Sequence, residues 1–334
     1  MTITIKKAGI QTSIQDLGRH KFGNIGVQVS GAMDKFSLQI ANVLVGNNPG
    51  TPGLEITING PILEFKSHAI IAIVGASFNL TLNDQVLPTC RPILVYAGGT
   101  LSFGTRKKGA RAYLSIRGGF DVPMVLGSRS TNLLEGFGGY DGRALKAGDE
   151  LHAMIQQSPE LKKINKKNKD FYAPSWHVRD VVSYRVRSPG VIRFIPTAFW
   201  NDLPSKEKDI FTKIKYKVAT GSNRMAYRLE GGALRGGSGH ELSRPTTFGT
   251  IQLPPEGNPI VLMADCQTVG GYSVLGVVIT FDHLLLAQLA PGDQLCFKAV
   301  NLDIAHDLLL CQNRDLRELG KTVKNRKFWD EKNY

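Results

Sequence analysis

Two heptads decide how this chain is read: LKAGDEL at residues 145–151 and LAPGDQL at residues 289–295. Each sets a Gly-Asp turn between leucines. Upstream of each lie two further markers in the same order. The first half has RGGF at residues 117–120 and then VLG at 125–127; the second has VGGY at 269–272 and then VLG at 274–276. An apolar strand, AYLSI (112–116) or IVLM (260–263), leads into each set. The copies stand roughly 150 residues apart, close to a domain length. Taken singly, such turns are common in β proteins; three markers in one order point to a duplicated β-domain.

The remaining patterning agrees. MTITIKK (1–7) alternates like a first strand, and IIAIV (70–74), IQL (251–253) and VVITF (277–281) are β-branched or alternating runs bounded by Gly, Pro or Asn. The 36 glycines and 16 prolines supply frequent turns, which favours barrels or sandwiches over a helical bundle. A chain of 334 residues exceeds one ordinary core. The expected fold class is therefore mainly β, two β-domains in tandem with a few short helices. The expected division is residues 1–155 for the first domain, 156–190 for a basic linker, 191–300 for the second domain and 301–334 for a C-terminal helix and basic tail. Two helices stand out. Asp34 is a good N-cap for residues 35–45, where Phe36, Ile40, Val43 and Leu44 share a face, with Gly46 as C-cap and Pro49 beyond. Near the end, Asp303 is expected to cap a helix that begins at Ile304, carries Leu308, Leu309 and Leu316, and stops at Gly320.

Composition excludes several function classes. The four cysteines (Cys90, Cys266, Cys296, Cys311) are far apart, and no His or Cys spacing matches a structural metal site, so no metal is expected. The longest apolar region, residues 274–290, is interrupted by Thr280, Asp282 and His283; no membrane partner is expected and the location is expected to be cytoplasmic. The formal charge of +13 raises nucleic acid as a partner, but about half of the 41 Lys and Arg fall within residues 156–217 and 314–332, and the run KKINKKNK at 162–169 has no aromatic interleaving. That pattern reads as solvated chain, and no nucleic acid is expected. Gly104 and Gly109 have P-loop spacing, yet Ala110-Arg111 follows where Lys-Ser/Thr is required, so this chain is not expected to hold ATP in that manner. No G-x-S-x-G elbow and no biotin-carrier lysine between two methionines is present.

An ordered set of blocks resembles the allophanate hydrolase subunit 2 family, also called the biotin-dependent carboxyltransferase-like or KipA family. The blocks are IQDLGR (14–19), GV (26–27), SGAMD (30–34), ANVLVGN (41–47), GARAYL (109–114), GSRST (127–131), GG (138–139) with GR (142–143), RM (224–225) with YRL (227–229), and DCQTVGGY (265–272). The resemblance implies two cyclophilin-like β-barrel domains. It implies a role as the C subunit of a 5-oxoprolinase, a cyclic-amide hydrolase that opens 5-oxo-L-proline to L-glutamate using ATP. The implied partners are a KipI-like B subunit and an A subunit of the lactam-utilisation type. Two alternatives stay open: a regulatory protein that binds a KipI-like kinase inhibitor, or a carboxyltransferase-like component acting on urea-type amides with biotin on another chain. The chain departs from the family pattern at Asn223 (commonly Asp), Ala226 (commonly Gly), Cys266 (commonly Arg) and residues 196–200.

The candidate site follows from these blocks. Asp265, Gln267 and Thr268 are the expected catalytic group, with Asp265 as a base or water-orienting acid, and Gly270 and Gly271 leave backbone N–H groups open to a small-molecule substrate beside Tyr272. The other reading is a turn whose polar groups serve local backbone. Arg224 and Arg228 are expected to face one side of a strand and clamp an anion, or to make surface salt bridges. Arg129, Ser130 and Thr131 form either an anion-binding loop or a plain turn. Asp34 is both a family position and a helix cap. Cys266 is expected to be a bystander thiol, and His240 a loop residue.

Overall fold

The computed structural model describes residues 1–154, 170–186, 190–237 and 242–325. His240 falls outside them, as do residues 156–169 and 187–189 of the expected linker, whereas Phe171–Tyr172 and Val181–Arg185 within that linker form a strand and a short helix. Contacts divide the chain into two units, neither of them contiguous. One comprises Met1–Gly18, Asp34–Tyr184 and Arg314–Tyr334; the other comprises Arg19–Met33 and Arg185–Asn313.

The first unit is built on two six-stranded sheets. One runs, in spatial order, Glu150–His152, Thr2–Lys7, Ile62–Phe65, Thr100–Ser102, Thr81–Leu82 and Gln85–Val86. The other runs Phe171–Tyr172, Ile93–Val95, Ala69–Phe78, Arg106–Ile116, Gly53–Thr57 and Gln11–Gln15. A single core draws on both: Ile3, Ile5 and Phe65 from the first, Ile14, Ile56, Ile73 and Leu114 from the second. The residues with P-loop spacing lead into the Arg106–Ile116 strand rather than a phosphate loop. Helix Lys35–Leu44 starts at its predicted cap: Asp34 Oδ1 accepts the Ser37 N–H at 2.9 Å and Oδ2 accepts the Ser37 hydroxyl at 2.6 Å.

The second unit is a closed barrel in the order Gly190–Pro196, Ser273–Val278, Thr250–Leu253, Ile260–Leu262, Ala226–Glu230, Tyr216–Val218 and Gln294–Ala299. The last strand closes it by pairing parallel to the first. Its interior is aromatic. Phe194 meets Trp200 and Phe211 edge-to-face at 5.1 and 5.5 Å, and Phe211 stacks on Phe297 at 4.6 Å. Such pairs add about 0.5–1.5 kcal/mol each beyond their burial.

The opening heptads form the same turn twice. Gly148 and Gly292 take φ of 92° and 93°, a left-handed backbone that a side chain would strain. Asp149 Oδ2 accepts the Lys146 N–H at 2.7 Å, and Asp293 Oδ2 accepts the Ala290 N–H at 2.8 Å. Each turn then delivers a strand. In the first unit, Arg143 adds a bidentate hold on Asp149 at 2.8 and 2.9 Å, which keeps that carboxyl below the usual carboxylate range.

Three expectations about element ends are corrected. The last helix runs Leu302–Asn325; its cap is Asn301, whose Oδ1 accepts the Ile304 N–H at 3.0 Å, so Asp303 lies within its first turn. Gly320 does not stop it, because the next turn buries Val323 and outweighs a glycine cost of about 1 kcal/mol. The strand expected to reach residue 281 ends at Val278, where a 3-10 turn, Thr280–Asp282, takes over. There Asp282 is fully buried and binds Arg193 at 2.6 and 2.9 Å. Among the described residues no helix is long and apolar enough to cross a membrane.

Phe211→Ala is expected to cost the barrel about 3–5 kcal/mol, as for other buried Phe truncations. Urea unfolding of the full chain measures this; a loss below about 1 kcal/mol contradicts the central place given to this ring.

Candidate functional site

The segment at residues 263–272 leaves the barrel strand Ile260–Leu262 and returns as Ser273–Val278. Its first half is an anchor. Asp265 is 3% exposed, and both its oxygens are taken by Arg224, Nε at 2.7 Å and Nη2 at 3.0 Å. Backbone repeats the link, Asp265 N–H donating to the Arg224 carbonyl at 2.9 Å. Arg224 Nη2 also donates to the Gly31 carbonyl at 2.7 Å, which ties the Arg19–Met33 segment into the same unit. With both oxygens engaged by one guanidinium, Asp265 holds the turn in place.

The second half is more open. The Gln267 and Thr268 side chains are half-buried, and their carbonyls accept from the Thr246 hydroxyl and the Thr246 N–H, the latter at 2.9 Å. Gly270 pairs with Arg244 in a two-stranded ribbon, Gly271 is half-buried, and Tyr272 is exposed. The glycine at 270 is required by close approach. A Cβ there would meet Gln252 Nε2 at 2.5 Å, Thr246 Cγ2 at 3.3 Å and Gln267 Nε2 at 3.6 Å. Two side-chain amides therefore converge on Gly270. The buried Gln252 has no hydrogen-bond partner for its Nε2 among the described residues, an arrangement costing about 1–3 kcal/mol unless a ligand or water supplies the acceptor. Gln252 went unnoticed in the sequence; its one signal is an amide inside the apolar Thr250–Leu253 strand. The bulge in that strand's pairing, between Ile251 and Gln252, is invisible at that level.

The other expected site residues lie apart from this cluster. Arg228 does not join Arg224. It is exposed on the Ala226–Glu230 strand, whose Tyr227 and Leu229 point inward, whereas Arg224 is buried before the strand begins. The expected clamp fails because only residues within one strand alternate together. Asn223 makes a local turn, its Oδ1 accepting the Met225 N–H at 2.8 Å, which is work an Asp does equally well.

In the first unit, the Arg129–Thr131 loop encloses an internal anion. Asp16 Oδ2 accepts the Arg129 N–H at 2.6 Å, and its Oδ1 accepts from Ser128 at 2.7 Å, Ser130 at 2.5 Å and Gly18 N–H at 2.7 Å. Thr131 donates to the Ile14 carbonyl at 2.9 Å, and Arg129 Nε to the Val122 carbonyl at 3.0 Å. The cationic hydroxyl loop is thus filled by the chain's own carboxylate. Asp34, 1% exposed, is likewise committed to its helix. Sequence reading also missed Lys35, whose ammonium is pushed down to about 8 by burial, with Asp16 acting in the opposite sense. For Cys266, burial and then the neighbouring Asp265 push the thiol up to about 11, which removes the thiolate a nucleophile needs.

Sequence and structure comparisons add relatives. The profile described as carboxyltransferase domain, subdomain A and B, matches residues 25–299. The C subunit of 5-oxoprolinase from Escherichia coli (strain K12) is 34% identical over 324 residues, 97% of this chain and 99% of the relative. The urea amidolyase of Saccharomyces cerevisiae is 33% identical over 97% of this chain but only 18% of the relative. The crystal structure of Kluyveromyces lactis urea amidolyase superimposes with a TM-score of 0.83 at 32% identity, covering 95% of this chain and 20% of that one.

Asp265→Asn leaves the Arg224 guanidinium buried without its counter-charge and is expected to cost about 3–5 kcal/mol. Pairing it with Arg224→Met is expected to recover part of that loss in urea unfolding; a stable single variant removes the anchor role. Alkylation at about pH 8 is expected to label the exposed Cys311 and spare Cys90 and Cys266, both held at about 11 by burial. The folded thiols keep their protons above the ordinary value of 9.0, so their contribution to stability is present below it and lost as pH rises through about 11. Peptide mass spectrometry reads the labelling, and Cys266 reacting as fast as Cys311 overturns the assignment.

Proposed function

Matched over residues 25–299, this chain belongs to the family described as carboxyltransferase domain, subdomain A and B, and from that membership we propose that it acts as the C subunit of an ATP-dependent 5-oxoprolinase. With partner subunits of the B and A types, it serves the opening of 5-oxo-L-proline to L-glutamate in the cytoplasm. The observation that carries this reading is the end-to-end likeness to the C subunit of 5-oxoprolinase, 97% of this chain against 99% of the relative. In that reaction ATP activates the lactam oxygen so that water opens the ring.

This chain's part is recognition at the Gly270 cluster. Gln252 Nε2, already desolvated and without an acceptor among the described residues, donates to an amide carbonyl laid against Gly270. The Gln267 amide flanks the same place, and Thr268, Gly271 and Tyr272 form the open rim. Arg224 and Asp265 keep that surface in position, their bidentate contact fixing the turn from which Gln267 projects. Preorganised donors of this kind cost no rearrangement when the substrate arrives.

A second reading is supported by the urea amidolyase likeness over nearly this whole chain. It makes the same cluster a carboxyltransferase site for a urea-type amide, with biotin on another chain. Both readings put a planar amide carbonyl on Gln252.

The test is glutamate formation from 5-oxoproline by the purified chain mixed with its B-type and A-type partners and ATP. Activity is expected only in the complete mixture. Gln252→Ala is expected to lower kcat/KM about tenfold, the worth of one hydrogen bond of about 1.4 kcal/mol. No glutamate from the complete mixture rejects the 5-oxoprolinase role, and urea-dependent decay of carboxybiotin would select the second reading.

A further inference from the structure

We propose that the first unit carries a second binding site, for a phosphorylated small molecule, where the end of helix Lys35–Leu44 faces helix Leu302–Asn325. A cavity of about 590 Å³ opens there, within the range of small-ligand sites. A smaller hollow of about 400 Å³ shares Gly46, Asn47, Asn48 and Arg117 with it. Among the described residues, four cations line the larger cavity, Arg117, Arg317, Lys321 and Lys324, and no carboxylate does. Lys321 also pairs with Glu318 at 2.8 Å, an exposed contact one turn away. Surface pairs of that kind are worth about 0–1 kcal/mol and exchange readily for a ligand.

Three features distinguish this place from a merely solvated basic face. Arg117 is held on both sides: Asn47 Nδ2 donates to the Ile116 carbonyl at 2.7 Å, and Asn47 Oδ1 accepts the Gly118 N–H at 2.8 Å. Its own N–H donates to the Ile70 carbonyl at 2.8 Å, so the backbone beneath the guanidinium is fixed before any ligand binds. Gly320 lies in the helix wall, where an added Cβ would meet nothing within 4 Å. The remaining wall is apolar, with Val43, Leu316 and Val323, and suits the uncharged body of a nucleotide while the cations take its phosphates. Arg117 also opens the RGGF stretch, the first-half counterpart of the VGGY loop at the Gly270 cluster. Each copy of the duplicated punctuation thus borders a polar surface open to a ligand.

The inference does not rest on the proposed lactam reaction and is tested on the full chain alone. Calorimetric titration at low salt uses ATP, inorganic triphosphate and adenosine as probes. ATP is expected to bind with an affinity that falls at least tenfold between about 50 and 300 mM salt, as for other multi-cation phosphate contacts. Arg117→Gln combined with Arg317→Gln is expected to weaken ATP binding at least tenfold. Gly320→Leu, which fills the cavity and leaves every charge in place, is expected to do the same. Triphosphate binding as tightly as ATP supports a site read through its phosphates. Adenosine alone binding as tightly as ATP rejects the proposal, as does no binding of ATP or triphosphate at millimolar concentration. ATP binding left intact by the folded Gly320→Leu variant puts the anion elsewhere and also rejects it.

Discussion

The bidentate contact between Arg224 and Asp265 takes two charges out of water together, and the second unit is organised around it. One guanidinium meets both oxygens of a carboxylate and, through the same Nη2, a carbonyl 193 residues away in sequence. Removing either charge strands the other, so the pair fixes three backbone segments with little tolerance for movement. The amides of Gln252 and Gln267 meet at Gly270 because the turn that carries Gln267 leaves the barrel at this anchor.

A wider pattern follows. Buried and half-buried aspartates in both units serve as internal acceptors. Asp16 collects two hydroxyls and two backbone N–H groups, Asp34 starts a helix, Asp149 and Asp293 close matching turns, and Asp282 binds Arg193. A mainly β chain rich in turns has many backbone donors away from its ladders, and short carboxylates satisfy them at close range. The cluster around Gly270, by contrast, gathers two side-chain amides, a threonine, two glycines and an exposed tyrosine ring. Amide and backbone donors of this kind are suited to a planar amide carbonyl such as that of a lactam.

How much of this was legible depended on how local the physics was. The Asp34 cap, the paired Gly-Asp turns and the first strand are settled by neighbours within a few residues, and they stand where the patterning puts them. The end of the last helix was not legible, because Val323 is buried by tertiary packing that a glycine rule does not see. The ion pairs were not legible either: Arg224 and Asp265 are 41 residues apart, and Asp16 reaches Ser130 across 114. Spacing suggested Arg228 as the partner of Arg224, whereas the strand begins only at Ala226. Gln252 shows why such a residue can hide. A glutamine in an apolar strand looks ordinary until its amide is found buried without an acceptor.

The hold of Arg224 on Gly31 also has a consequence for synthesis. A ribosome adding about 5–20 residues each second delivers the guanidinium roughly 10–40 seconds after the carbonyl it must reach. For that interval the Arg19–Met33 segment has emerged without the barrel it belongs to, and the first unit in turn awaits the residues from Arg314 onward. Neither unit is complete until the other has largely been made. A proteolytic cut between Tyr184 and Arg185, where the chain passes from one unit to the other, would therefore give two fragments that each lack a piece of their own fold, and that recover it only by reassociating.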